Sequence, residues 1–285
     1  MISFQLLDTR VEVVRDDPVI DGGLRYLAHG ASSEVVVRRT IRYAIEGSGP
    51  WLLREEGDAV DVLEDPDDLL WFLFVRVHGR VCERYSLAGW STFHAAVAGV
   101  RGVRLLFVGP SSVGKSTLAS TLLFGGHSVE GDEMAFERAG VVVPLARRFH
   151  LKEGIERHVS GLAPWIDDLP AVRRDGAPVR AFDPSEHGFE WRVRSAPVDA
   201  VVCLRAEHGG ESRLREITTF EALTGLLGGA LNWVQSRSVL VAAATRLARA
   251  RRVELTLGRP SETLAALESW CGSIDGKLPD TDGIV

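Results

Sequence analysis

The sequence predicts an α/β fold, and three observations carry that expectation. The apolar run Val103–Val108 leads without a break into Gly109-Pro110-Ser111-Ser112-Val113-Gly114-Lys115-Ser116, and a helix-forming stretch follows at once. Ahead of it, residues 1–63 fall into short β-branched segments separated by turn residues. Between the two, Leu69, Leu73, Val77 and Val81 recur at four-residue spacing, the mark of one buried helix face.

In chain order, strands are expected at residues 2–7, 11–14, 34–45, 51–54 and 60–63, with turns at Glu46-Gly47-Ser48-Gly49-Pro50 and Glu56-Gly57-Asp58 and a short helix within 17–30. Asp65-Pro66 reads as an N-cap and first-turn pair opening a helix that runs to about Tyr85. Residues 92–97, a tight turn at Arg101-Gly102 and Val103–Val108 read as a hairpin with His94 on its first arm. Behind the loop, Leu118 and Leu122 share a helix face, and Gly125-Gly126 closes that helix.

Extended segments follow at 127–129, 135–137 and 141–144, the last two joined through Ala139-Gly140. Residues 160–197 contain Pro164, Pro170, Pro178, Pro184 and Pro197 without periodicity, and read either as a long irregular lid or acceptor-binding segment or as a disordered one. Beyond them, 198–205 and 213–218 read as a second hairpin, 220–227 and 238–252 as helices, 253–257 as a strand, and 260–270 as a helix opened by Pro260. The tail from Gly272 is expected to fray. On this reading the chain divides into a strand-rich region with a linking helix (1–88), a catalytic domain (89–271) and a flexible tail (272–285).

The composition excludes several classes. At 285 residues, with 45% hydrophobic and 25% charged content, the chain can bury a sizeable core of ordinary soluble type. A net charge of −6 argues against a protein whose main task is to neutralise nucleic-acid phosphates. The densest basic run, Arg246, Arg249, Arg251 and Arg252, accompanies a helical apolar stripe of Leu240, Ala243, Ala244 and Leu247 and reads as a solvated outer face. Cys82, Cys203 and Cys271 are far apart, which argues against a disulfide framework or a zinc site. Asp8, Arg10, Glu12 and Arg15 interrupt the start of the chain, and no apolar run approaches the ~18 residues of a membrane span. A cytoplasmic protein with no nucleic-acid or membrane partner is expected, with homo-oligomerisation left open.

The glycine loop is where chemistry enters. Gly109 and Gly114 free the backbone to approach an anion closely, so that the N–H groups of Ser111, Ser112 and Val113 can converge on phosphates. Lys115 would reach the β- and γ-phosphates, and the Ser116 hydroxyl would ligate Mg²⁺, with Thr117 as the weaker alternative. The helix that follows points its positive end at the same anion. The alternative is a glycine-rich strand-to-helix turn with no ligand.

Phosphoryl transfer also needs a base for the nucleophile and a carboxylate for the metal. Asp132-Glu133 is the nearest candidate, on a segment expected to lie beside the strand that feeds the loop. Neighbouring strand residues face opposite ways, so both acids serve one site only if Gly131 bends the chain. Two solvated acids at a turn are the alternative. His94 is a lone imidazole on an apolar strand, ordinarily a hydrogen-bonded core histidine. Lys152, with Arg147 and Arg148, could neutralise a transferring phosphoryl group, although charge at an exposed strand end is the commoner cause of such a cluster.

The order His94-Ala95-Ala96, then Gly109 to Ser116, then Gly126-His127-Ser128-Val129-Glu130-Gly131-Asp132-Glu133 resembles the catalytic domain of HPr kinase/phosphorylase. With Arg148-Phe149-His150-Leu151-Lys152 and Leu231-Asn232-Trp233 added, it resembles more closely the HPr-kinase-related proteins of bacterial peptide and natural-product clusters, over roughly residues 90–270. The resemblance implies a P-loop core of the HPr kinase C-terminal type, similar to phosphoenolpyruvate carboxykinase, beside a smaller N-terminal α+β region. It also implies a kinase that moves the γ-phosphate of ATP to a serine hydroxyl. Carried over by position, Asp132 becomes the general base for the hydroxyl, Glu133 the metal-side carboxylate, and His94 a partner that orients or tunes that acid. Glu133 stands where the family has a second aspartate, so which acid is base and which is ligand stays open. The long glycine- and arginine-containing signature that HPr kinase uses for its protein substrate and for phosphorolysis has no clear counterpart, so HPr itself is not the expected acceptor. The expectation is an ATP- and Mg²⁺-dependent kinase of a peptide or small-molecule hydroxyl, with a nucleotide-hydrolysing switch as the alternative.

Overall fold

The computed structural model describes residues 1–174, 177–207, 210–231 and 236–275. It is a mixed α/β structure with several sheets. A six-stranded sheet runs in the order Ser128–Gly131, Ala95–Val100, Val103–Val108, Ala200–Ala206, Arg251–Leu257, Arg213–Glu216. Val103–Val108, Ala200–Ala206 and Arg251–Leu257 are mutually parallel. Val103–Val108 is buried at every position, as a strand covered on both faces must be.

A five-stranded sheet built from Ile2–Leu6, Thr9–Arg15, Arg39–Glu46, Trp51–Glu55 and Asp58–Leu63 occupies the N-terminal region. The helix Pro66–Leu87 then buries Leu69, Leu73, Val77 and Val81, and the Asp65 carboxylate accepts hydrogen bonds from the Asp67 and Asp68 N–H groups as its cap. Its buried face joins the same apolar core as the N-terminal sheet and the loop helix Lys115–Phe124.

Several expectations need correction. Residues 34–38 are not part of a strand; the extended segment begins at Arg39, where pairing with Thr9 starts. Ala200–Ala206 and Arg213–Glu216 do not form a hairpin, because Arg251–Leu257 lies between them and takes the hydrogen bonds of both. The helix expected over 238–252 ends at Leu247, since Arg251 and Arg252 belong to that central strand. The described part of residues 160–197 is not irregular throughout: Ala171–Arg174 pairs with Ala177–Phe182, which pairs in turn with Phe149–Leu151, and Leu162, Phe182 and Trp191 are buried. The last helix continues through Gly272 to Asp275.

One buried ion pair fixes the edge strand that carries the acids. Arg104, from the strand feeding the loop, donates Nε and Nη2 to the two Glu130 carboxylate oxygens at 2.8 Å each, and further hydrogen bonds reach the carbonyls of Val142, Arg194, Ala196 and Pro197. Both side chains are almost fully buried. Removing one partner of such a pair leaves an uncompensated charge in the interior. Glu130→Ala is therefore expected to lower stability by about 3–5 kcal/mol, read as a lower urea midpoint at unchanged slope. A loss below about 1 kcal/mol would remove the pair from this role.

A candidate phosphoryl-transfer site

The loop opens the site. Val103–Val108 ends at Gly109, the chain turns through Ser112 at φ 62° and Gly114 at φ 114°, and the helix Lys115–Phe124 begins. Gly114 holds a left-handed conformation, and a Cβ there would meet Leu257 Cδ1 at 3.2 Å. Among the described residues, the N–H groups of Ser111, Ser112 and Gly114 donate to no carbonyl, while Val113 N–H bonds back to Pro110 and its side chain is buried. Lys115 folds over the loop, its Nζ donating to the Gly109 and Pro110 carbonyls at 2.9 Å each. Burial lowers its pKa, opposed by the charges of Glu133 and Asp132. Ser116 and Thr117 stand half-buried on the first helical turn.

The acids reach this loop by a route the sequence does not suggest. Ser128–Gly131 pairs with Ala95–Val100 and not with the strand that feeds the loop, so one strand separates them. The register shifts between Val129 and Gly131, a bulge at Glu130 that re-aims the chain. At Gly131 a Cβ would meet the Leu145 carbonyl oxygen at 3.0 Å and Pro144 Cβ at 3.1 Å, so the close approach there requires glycine. Gly131 itself closes the strand and the chain bends just beyond it, at Asp132 and Glu133, where both acids lie beside one guanidinium.

That guanidinium is Arg147. The hairpin Ala135–Arg138 with Val141–Pro144 turns through Ala139 and Gly140, both at positive φ, and Leu145 N–H extends the ladder to the Met134 carbonyl. Extending its register places Arg147 opposite Asp132. Arg147 Nη2 donates to Glu133 Oε2 at 2.8 Å and lies 3.8 Å from Asp132 Oδ1. Asp132 is fully buried, and neither of its carboxylate oxygens receives a hydrogen bond. Burial raises its pKa and Glu133 adds to the rise, while Arg147 and the nearby Ser116 hydroxyl oppose it. Glu133 behaves oppositely: burial pushes it up, but His94, Arg147 and Lys115 outweigh that and hold it down to about 2.

His94 does not lie within a strand arm. It occupies the break between Ser91–Phe93 and Ala95–Val100, which belong to different sheets. Its N–H donates to the Gly229 carbonyl, and Ala95 N–H donates to the Glu133 carbonyl at 3.0 Å. This leaves His94 Nε2 3.6 Å from Glu133 Oε2, so its neighbour is Glu133 and not Asp132. Lys152 follows the strand Phe149–Leu151 and donates Nζ to Ser112 Oγ at 3.0 Å, which brings it onto the loop. Asn232 and Trp233 lie outside the described residues.

The residues fit a triphosphate and its metal. Lys115 and Lys152 both reach the glycine loop, and Asp132 is buried with neither carboxylate oxygen paired. No cluster of three or more His, Cys, Asp or Glu that could hold a metal is present among the described residues. A hydrated Mg²⁺ needs none, since one or two protein oxygens with substrate phosphates suffice, and Ser116 with Glu133 can supply them. Arg147 enters the sequence reading only as one member of a basic run, although the hairpin register was available to locate it.

No family model and no curated protein matches the sequence. Among solved structures, the chain is similar to the Hpr(Ser) kinase/phosphatase from Coxiella burnetii, at a TM-score of 0.32 and 12% identity, over 65% of this chain and 93% of that one. A likeness that loose assigns neither function nor subtype. No helix among the described residues is long and apolar enough to cross a membrane.

The two acids give opposite pH signatures. Glu133, depressed in the folded state, contributes stability that is present above its unfolded value of about 4.5 and is lost as pH falls toward about 2. Asp132, raised in the folded state, costs stability whenever it is ionised. Asp132→Asn should therefore raise stability at neutral pH, by about 1–2 kcal/mol, by removing a buried charge without hydrogen bonds. Thermal unfolding at pH 7 checks this, and a clear loss of stability would mean that the carboxylate is structurally paired.

Proposed function

We propose that the protein is an ATP- and Mg²⁺-dependent kinase that transfers the γ-phosphoryl group to a hydroxyl, on a serine of a small peptide or on a small-molecule alcohol. The observation that carries this reading is Asp132: buried, short of hydrogen bonds, raised in pKa, and close enough to Lys115 for the two charges to act on each other. A carboxylate that costs the fold stability and faces a phosphate-type loop has the properties of a base awaiting a proton.

In this reading the loop N–H groups and Lys115 hold the β- and γ-phosphates, and Lys115 leaves the Gly109 and Pro110 carbonyls to do so. Ser116 and Glu133 would hold Mg²⁺, which would supply charge neutralisation for the transferring phosphoryl group. Asp132 accepts the hydroxyl proton as the acceptor oxygen bonds to γ-phosphorus, and the bond from that phosphorus to the bridging oxygen breaks to release ADP. Arg147 keeps Glu133 ionised and aligned, and His94 supports it from the other side. Catalysis is positioning and charge stabilisation, with no covalent enzyme intermediate.

The experiment is to follow the label of γ-labelled ATP in the wild-type protein with peptide and alcohol acceptors. Lys115→Ala is expected to abolish transfer while the protein stays folded. Asp132→Asn is expected to keep ATP affinity within about threefold and to lose about 10²–10⁴-fold in rate. Full activity in Asp132→Asn would move the base elsewhere, and label released only as inorganic phosphate would favour a hydrolytic switch.

A further inference from the structure

The chain carries 33 residues of Lys and Arg type, and only three of them are lysines: Lys115, Lys152 and Lys277. Both lysines among the described residues rest on the glycine loop. Lys115 Nζ donates to the Gly109 and Pro110 carbonyls, and Lys152 Nζ donates to Ser112 Oγ at 3.0 Å, from a position 40 residues further along the chain. Among the described residues neither ammonium has a carboxylate within ion-pair distance, and neutral oxygens alone hold them. The arginines that precede Lys152 differ, since Arg147 is paired with Glu133 and Arg148 with Glu186. Two ammonium groups on one short loop repel each other, and an anion shared between them removes that cost.

The two lysines are mounted differently. Lys115 is buried on the first turn of the loop helix, so it serves phosphates seated in the loop itself. Lys152 is exposed and follows the strand Phe149–Leu151, which pairs with Ala177–Phe182 and buries Phe149 and Leu151. Its backbone is thereby fixed, while a flexible four-carbon stem lets the ammonium move off a single neutral hydroxyl. A charge-assisted hydrogen bond to a phosphate oxygen is roughly twice as strong as one to a neutral acceptor, so Ser112 Oγ is the weaker partner. A loop of this kind cradles the α- and β-phosphates and leaves the terminal one projecting. A cation carried by a separate strand meets that projecting end.

We propose that Lys152 is the ligand that tells a nucleoside triphosphate from a diphosphate: its ammonium leaves Ser112 Oγ for the γ-phosphate and returns to the hydroxyl once that group has been transferred. This rests on the nucleotide-binding part of the kinase reading, and it adds a second, mobile cation to the one that Lys115 supplies. A charge that the sequence alone leaves to solvent thereby acquires a partner.

The test is calorimetric titration of wild type and Lys152→Met with the magnesium complexes of ADP and of the non-hydrolysable β,γ-imido analogue of ATP. The substitution removes the charge from an exposed position and keeps an unbranched stem, so the melting temperature is expected to hold within about 2 °C. Wild type is expected to bind the triphosphate analogue more tightly than ADP. The variant is expected to bind the analogue about tenfold more weakly while its ADP affinity holds within about twofold. A diffuse positive field would weaken both, because ADP carries nearly as much charge. Unchanged affinity for the analogue, or equal losses for the two nucleotides, would overturn the assignment and return Lys152 to the surface. The kinase reading fails separately. The selective loss, with no label passing from γ-labelled ATP to any acceptor, would sink that reading and leave Lys152 in place. Transfer at full rate in Lys152→Met with unchanged analogue affinity would sink this inference alone, and a folded wild type that binds neither nucleotide would sink both.

Discussion

One guanidinium sets the chemistry of this molecule. Arg147 is buried, bonds to Glu133 and stands within ion-pair distance of Asp132. A buried carboxylate and its half-exposed neighbour repel each other, and one fixed cation resolves that repulsion unequally. Glu133 takes the hydrogen bond and is held ionised, while Asp132 receives only the longer-range attraction and keeps a raised pKa. Paired acids whose environments drive their pKa values apart are suited to different roles, and the proposed function assigns the nearer acid as the stabiliser and the farther one as the base.

The surrounding structure serves to hold that asymmetry. The bulge at Glu130 and the glycine at 131 re-aim the acid-bearing segment, the Arg104–Glu130 pair fastens it, and the Ala139-Gly140 hairpin returns Arg147 to face it. The N-terminal sheet and its linking helix share the apolar core with the loop helix.

Local features were legible in the sequence and long-range ones were not. The loop, its helix, the Asp65 cap and the hairpin turn at Ala139-Gly140 follow from residue types at short spacing, and each lies where the sequence placed it. The insertion of Arg251–Leu257 between two strands expected to pair could not be read, because its hydrogen bonds join residues far apart in the chain. The proline-rich stretch looked irregular for a related reason: its strands are short, and its order comes from aromatic packing of Phe182 and Trp165 with Phe124. At the site, Lys115, Asp132 and Glu133 were legible as types, and Lys152 reaches the loop. The partnership of His94 with Glu133 depends on a strand break that only the fold reveals, whereas the place of Arg147 follows from the Ala139-Gly140 hairpin register.

The most direct measurement is the carbon-13 resonance of the Asp132 carboxyl, titrated in the free protein and again with Mg-ATP. The account predicts a midpoint above that of an ordinary aspartate and a resonance that moves when the nucleotide binds, more with ATP than with ADP. A carboxyl that titrates normally and ignores the nucleotide would contradict it.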